Sequence, residues 1–312
     1  MASSYCTPVM NQGDNPNWAE LPPELTSSIL HRLGAIEILY SAQKVCRSWR
    51  RVCKDPSMWR KIEMRNHVHM ILSFGDLVNM CRHAVDLSQG GLVEIEIWHI
   101  ATYDLLKYMA HSCSKLRSLK LAMCYQIGSE GLTEVIVKLP LLEVLEVSYC
   151  SLSGESLKVI GQSCQNLKSL GKNCEGYKSP RNESDGVALA IAETMPGLTR
   201  LQLFGDRLTD VGLNAILDSC PNLEYLDLRQ CFIVNLVGDL EKRCSERIKV
   251  LRRPNDSTHD YPFDATLNDV DLSKDDYSYG GGVSDVDEMS EDEFYDDLSG
   301  ASDHSDFDPF DY

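Results

Sequence analysis

LEVLEVSYC, residues 142–150, is the stretch that decides how most of this 312-residue chain folds. Leu142, Leu145 and Val147 stand at its positions one, four and six, and Cys150 at position nine. Positions four and six lie two apart, so on a short extended segment they share one face and point into a common core. Related stretches begin at Leu92 (LVEIEIWHI), Leu116 (LRSLKLAMC), Leu167 (LKSLGKNC), Leu198 (LTRLQLFGD), Leu223 (LEYLDLRQC) and Ile248 (IKVL). With Leu142 in its place, the successive starts are 24, 26, 25, 31, 25 and 25 residues apart. The second half of each unit has helical spacing: Leu132, Val135, Ile136 and Leu139 in one, Leu213, Ile216 and Leu217 in another. Pro140, Pro196 and Pro221 close three of these helices. One strand and one helix per unit predicts an α/β solenoid, a short horseshoe of about six repeats over residues 92–253.

This is the leucine-rich pattern. Position nine is often Cys (Cys124, Cys150, Cys231), a small residue suited to burial where the chain turns inward. The fourth unit departs from the pattern: GKNCEGYKSPRNESDG is polar where positions six and nine are otherwise apolar, and it carries about six extra residues. On strands whose fourth and sixth positions point inward, the third, fifth and seventh face the concave surface. Trp98, Arg200, Phe204, Tyr225 and Arg229 fall there and are the expected binding anchors, because interface anchors are enriched in Trp, Tyr and Arg.

Residues 17–62 follow another period, after a flexible stretch expected over 1–16. Leu25, Ile29 and Leu33 step by four, with Gly34 as a stop. Ile38, Ala42, Val45, Trp49 and Val52 predict one amphipathic helix, and Asp55-Pro56 predicts an N-cap followed by Pro at the first helical position. Three small helices bury too little surface alone, and Leu21, Leu30, Leu39 and Tyr40 need cover. Residues 63–91 read as a helical bridge to the repeats.

LPPELTSSILHRLGAIEILYSAQKVCRSWRRVCKDPSMW (residues 21–59) resembles an F-box, through its Leu-Pro opening, its Glu-Leu and Ile-Leu pairs, Val45-Cys46-Arg47-x-Trp49 and Asp55-Pro56 with Trp59. With the NWAELP opening and the repeats, residues 17–252 resemble the F-box/leucine-rich-repeat proteins of plants. The resemblance implies a non-catalytic substrate receptor of an SCF-type cullin-RING ubiquitin ligase, marking a protein for proteasomal degradation. Its F-box would dock on a Skp-type adaptor and, through it, on cullin and RING subunits, with Leu21, Pro22, Ile29, Leu33, Leu39, Val45 and Trp49 at the adaptor-binding positions. Several of these could equally be internal core. The rival reading is a leucine-rich scaffold or inhibitor whose F-box merely caps the first repeat.

Other chemistry has little support. There is no Gly-rich phosphate loop, nucleophile elbow or His-Glu-x-x-His pattern, so no catalytic residue and no cofactor is expected. His67, His69, Cys81 and His83 cluster in sequence but fit no familiar zinc spacing, and no metal is expected. No run of about 18 apolar residues occurs, and twelve cysteines, too sparse for a disulfide scaffold and without Cys-x-x-Cys, fit a reducing compartment, nucleus or cytoplasm. The net charge of −17 is concentrated at one end: residues 254–312 hold 19 Asp and Glu against one Lys, leaving 29 basic and 28 acidic residues before them. That segment is expected to be a disordered acidic tail. Yet it carries nine of the chain's 24 aromatics, which predicts a segment able to fold back on the basic run KRCSERIKVLRRP (residues 242–254). Ser284, Ser290 and Ser305 each precede an acidic residue by three positions. That basic run reads as the exposed face of the last repeat, and no nucleic acid is expected.

Overall fold

The computed structural model describes residues 18–65, 72–176 and 182–266. Three short helices come first: α1 (Pro23–Leu30), α2 (Ala35–Tyr40) and α3 (Arg47–Cys53). The single helix expected over 38–52 is interrupted. After α2 the chain makes a 3-10 turn at Ala42–Lys44, and Cys46 then adopts an extended backbone and accepts the Trp49 amide as the N-cap of α3. Asp55 caps the next turn as expected, accepting the Ser57 amide at 2.9 Å with Pro56 behind it.

From here the repeats run as strand and helix in alternation: β1 (Lys61–Met64), α4 (Phe74–Leu87), β2 (Glu94–Trp98), α5 (Tyr103–Ser112), β3 (Ser118–Ala122), α6 (Ser129–Ile136), β4 (Val144–Ser148), α7 (Gly154–Ser163) and β5 (Ser169–Asn173). They continue with α8 (Gly186–Thr194), β6 (Arg200–Gln202), α9 (Asp210–Ser219), β7 (Tyr225–Asp227), α10 (Gly238–Arg247) and β8 (Val250–Arg252). The strands form one parallel sheet in chain order. Register aligns Ile95 with Leu119, Leu119 with Leu145, Leu145 with Leu170, and Leu170 with Leu201, so position four makes one continuous row. Every member of that row is at most 1% exposed. Full burial of such a side chain contributes roughly 1.5–3 kcal/mol, and none could be buried by its own unit. Side-chain caps set where many of the helices start: Ser73, Thr102, Ser153 and Thr209 each accept a first-turn amide at 3.1–3.2 Å.

The bridge expected over 63–91 is corrected at its start. Lys61–Met64 is a strand, in register with β2 through Ile62 and Ile95, and only α4 is helical. Trp59, Ile62 and Met64 are each 1% exposed and repeat the one-four-six spacing, so the end of the helical module supplies the first rung of the sheet.

A second ladder lies just past the strands, at position eight. His99, Met123, Tyr149, Gly205 and Gln230 all have left-handed φ between 55° and 70°, a conformation that costs most residues about 1–2 kcal/mol. Each amide donates to the position-seven carbonyl of the next unit: His99 to Ala122, Met123 to Ser148, Tyr149 to Asn173, Gly205 to Arg229. Position nine then turns inward, where the Cys124 and Cys150 thiols meet the carbonyls of Ala122 and Ser148, both at 3.3 Å.

In the irregular fourth unit, Lys172 takes an inward position six. It is 11% exposed and paired with Asp206 (5% exposed) at 3.3 Å, with the Cys174 sulfur 3.0 Å away. Burial works to lower its pKa, but Cys174 and Asp206 outweigh it and hold the ammonium charged. Close helix packing on this side depends on Gly161, where a Cβ would sit 2.1 Å from the Thr194 hydroxyl. Asp206→Ala, which strands a buried lysine, is expected to cost about 3–5 kcal/mol in urea unfolding, whereas Lys172→Met with Asp206→Leu should recover most of it.

Candidate functional site

Two surfaces carry the features that sequence reasoning singled out. On the helical module, α1 starts at Pro22-Pro23, whose fixed φ suits the first turn. Its buried side chains are Thr26 and Leu30, both 0% exposed. The Leu25-Ile29-Leu33 stripe therefore faces away from the module's centre: Leu25 is 54% exposed, Pro22 is exposed, and Leu21, Ile29 and Leu33 are half-buried. Val45, left outside α3 by the break at Cys46, is 57% exposed, and Tyr40 and Trp18 are 45% and 55% exposed. Trp49 is half-buried and its indole donates to the Trp18 carbonyl at 3.2 Å. Leu39 is the exception among the adaptor candidates. It is 4% exposed, on a helix that contacts both α4 and β1. Leu25, Trp18 and Tyr40 were not among the candidates, although they are exposed like Val45, which was; helical periodicity cannot tell which of two faces is turned inward.

The second surface is the concave face. Its third, fifth and seventh positions carry a ladder of charges, with Lys61 to Glu94 at 3.5 Å, Arg65 to Glu96 at 2.6 Å and Lys120 to Glu146 at 3.5 Å. Across the middle of the sheet they line an open groove of about 410 Å³, including Glu94, Lys120, Glu146, Arg200 and Gln202. Arg200 lies 3.4 Å over the Tyr225 ring at the rim of this groove, as an exposed anchor candidate would.

The position-seven candidates are placed differently. Phe204 and Arg229 are 0% and 3% exposed, so the expectation that they stand open is corrected. What covers them is residues 255–266, the start of the segment expected to be a disordered tail. Pro254 still belongs to the repeat, its carbonyl accepting the Gln230 amide at 2.9 Å as the last rung of the position-eight ladder. The chain then runs back over the strand ends. Tyr261 stacks on Phe204 with centroids 3.8 Å apart and planes 1° apart, and Phe263 packs on Trp98 (4.9 Å) and Tyr149 (5.3 Å). Arg229 is gripped by Asp227 at 2.8 Å and by Asp260 at 2.5 Å, and donates to the Ser257 carbonyl at 3.1 Å. Arg252 takes the other oxygen of Asp260 at 2.7 Å. Arg229 holds the Asp260 carboxyl below its usual range, against the opposing effect of burial. Trp98 is half-buried between Phe263 and Arg65, which lies 4.8 Å over its ring.

The basic run before this segment is consumed locally. Arg243 pairs with Asp218 at 2.6 Å, Arg253 with Glu241 at 2.5 Å, and Arg247 donates to the carbonyls of Leu217 and Cys220. Cys81 is buried and His83 half-buried in α4, while His67 and His69 lie outside the described residues, as do Ser284, Ser290, Ser305 and residues 1–16. Among the described residues no His, Cys, Asp and Glu group could hold a metal ion, and no helix is long and apolar enough to cross a membrane. The described cysteines are unpaired thiols.

Comparison with known proteins adds three findings. The family profile described as F-box-like matches residues 18–65. F-box protein SKIP19 of Arabidopsis thaliana is 60% identical over 322 aligned residues, covering 100% of both chains, and putative F-box/LRR-repeat protein 22 of the same plant is 54% identical over 88% of this chain and 91% of its own length. Among solved structures, a chain from the Rad7 and Elc1 complex in yeast aligns with a TM-score of 0.42 and 16% identity, over 74% of this chain and 69% of that one.

The burial differences make a direct test of which apolar residues are core. Leu39→Ala should lower stability by about 2–5 kcal/mol, and Leu25→Ala by no more than about 0.5 kcal/mol, in parallel thermal and urea unfolding.

Proposed function

The chain belongs to the F-box/leucine-rich-repeat family of plants, and from that premise we propose that it is the substrate-recognition subunit of an SCF-type cullin-RING ubiquitin ligase. The observation that carries this reading is the apolar surface left over on the helical module: Pro22, Leu25, Tyr40 and Val45 stay exposed even though Leu39, on the helix that contacts α4 and β1, is buried. A module that served only as a cap would have no use for that surface, and clustered exposed apolar groups mark interaction sites. Leu21, Pro22, Ile29, Leu33, Val45 and Trp49 bind a Skp-type adaptor in this reading, joined by Leu25. The adaptor then brings cullin and RING subunits. The concave face, with Arg200 and Tyr225 at its open groove and Trp98, Phe204 and Arg229 at the strand ends, holds the protein destined for ubiquitination and degradation. No catalytic residue and no cofactor is assigned to this chain, because the transfer chemistry belongs to the other subunits. The buried, unpaired thiols suit a reducing compartment, and burial holds Cys113, Cys164, Cys220 and Cys244 up at about 11. Nucleus or cytoplasm is the proposed location.

Leu25→Asp and Val45→Asp alter exposed positions and should leave the melting temperature unchanged. Each is expected to weaken binding of a purified Skp-type adaptor at least about tenfold, a loss of about 1.4 kcal/mol, in a titration against the wild-type chain. Undiminished binding in both variants, or none in the wild type, would favour the scaffold reading instead.

A further inference from the structure

We propose that the strand ends of the concave face form a groove for an acidic peptide in a turned conformation carrying aromatic residues two positions apart, and that residues 255–266 occupy this groove as an internal stand-in for such a partner. The biological meaning rests on the reading of the concave face as the substrate-binding face. The chemistry of the groove rests on what now sits in it.

The segment DYPFD, Asp260 to Asp264, shows what the groove accepts. Its burial alternates, with Tyr261 buried, Pro262 exposed, Phe263 half-buried and Asp264 exposed, along a backbone that turns at residues 259–260 and bends at Pro262 and Phe263. One aromatic slot has Phe204 as its floor, and the other is formed by Trp98 and Tyr149. Arg229 and Arg252 make a cationic clamp that closes on the carboxylate preceding the first aromatic. Gln230 donates to the Ala265 carbonyl at 2.7 Å and the Tyr149 hydroxyl to the Asp264 carbonyl at 3.2 Å. These side chains therefore read a peptide by its aromatic spacing, its backbone and a leading negative charge.

The stand-in is attached in a manner that permits exchange. Its own backbone bonds are local turns, Asp256 to Arg253 at 3.1 Å and Tyr261 to Thr258 at 2.9 Å. It leaves the neighbouring groove of about 410 Å³ open. Tethered only a few residues beyond β8, it competes at an effective concentration of about millimolar, so a weak free peptide is shut out. A partner that fills the two slots and extends over the open charged groove gains contacts the stand-in does not make, and displaces it. The covered aromatics are thus kept from other apolar surfaces until a partner with the right pattern arrives.

The test uses the full-length chain and a fluorescein-labelled peptide of residues 255–266. Fluorescence anisotropy should detect uptake by the Tyr261→Ala/Phe263→Ala chain, and at least tenfold weaker uptake by the wild type. Uptake by the double variant should fall when Trp98→Ala is added, or when Asp260 of the peptide is replaced by Asn. If the double variant does not melt cooperatively, Asp260→Arg serves in its place: that carboxylate is 37% exposed, and the change repels Arg229 and Arg252 without removing either ring. Equal uptake by wild type and variant, or no uptake at about 1 mM peptide, overturns the proposal. Adaptor binding measured on the same samples separates the two readings: peptide uptake without adaptor binding sinks the ligase reading alone, and adaptor binding without uptake sinks the groove alone.

Discussion

Nothing in this molecule is stable without the row of position-four side chains that runs through the parallel sheet. A single strand and helix of about 25 residues cannot bury both its faces, so each unit is completed by the next. The register that brings Ile95, Leu119, Leu145, Leu170, Leu201 and Leu226 into line is the constraint on which the rest depends. It explains the placement of the helical module, whose last turn contributes Trp59, Ile62 and Met64 to the same rows. The module is joined to the array by shared core and a shared strand.

The same register produces the position-eight ladder and, with it, the local strain. A chain that must leave each strand and donate to its neighbour's carbonyl takes a left-handed turn, and His99, Met123, Tyr149 and Gln230 accept that turn without glycine. Regular strain of this kind persists only where neighbouring hydrogen bonds over-determine it. The irregular unit shows how much the scheme tolerates. An inward lysine at position 172 is accommodated by drawing Asp206 into the core, which maintains the course of the sheet but makes a charged pair part of the packing.

Pro254 marks the point where the ladder stops and the chain changes role. Up to its carbonyl the backbone obeys the repeat; beyond it, residues 255–266 return across the ends of the strands they follow. The concave surface is consequently divided into an open charged groove and a covered aromatic and cationic strip. Two surfaces with unlike chemistry thus lie side by side on one array, one open and charged, the other aromatic and already covered.

Periodicity and local hydrogen-bonding chemistry determined the α/β solenoid, the location of nearly every strand and the cap at Asp55, because these follow from spacing along the chain. The F-box resemblance was equally legible, carried by specific residues between Leu21 and Trp59. Which apolar face of α1 turns inward was not, since Leu25-Ile29 and Thr26-Leu30 have the same spacing and only the neighbouring helices choose between them. Nor was the fate of Phe204 and Arg229. Alternation places them on the concave side, but their burial depends on Tyr261 and Asp260, contacts between residues 57 and 31 positions apart in the chain. The aromatic excess after residue 254 signalled that the acidic segment had something to bind; the slot that fits it exists only once separate repeats stand side by side.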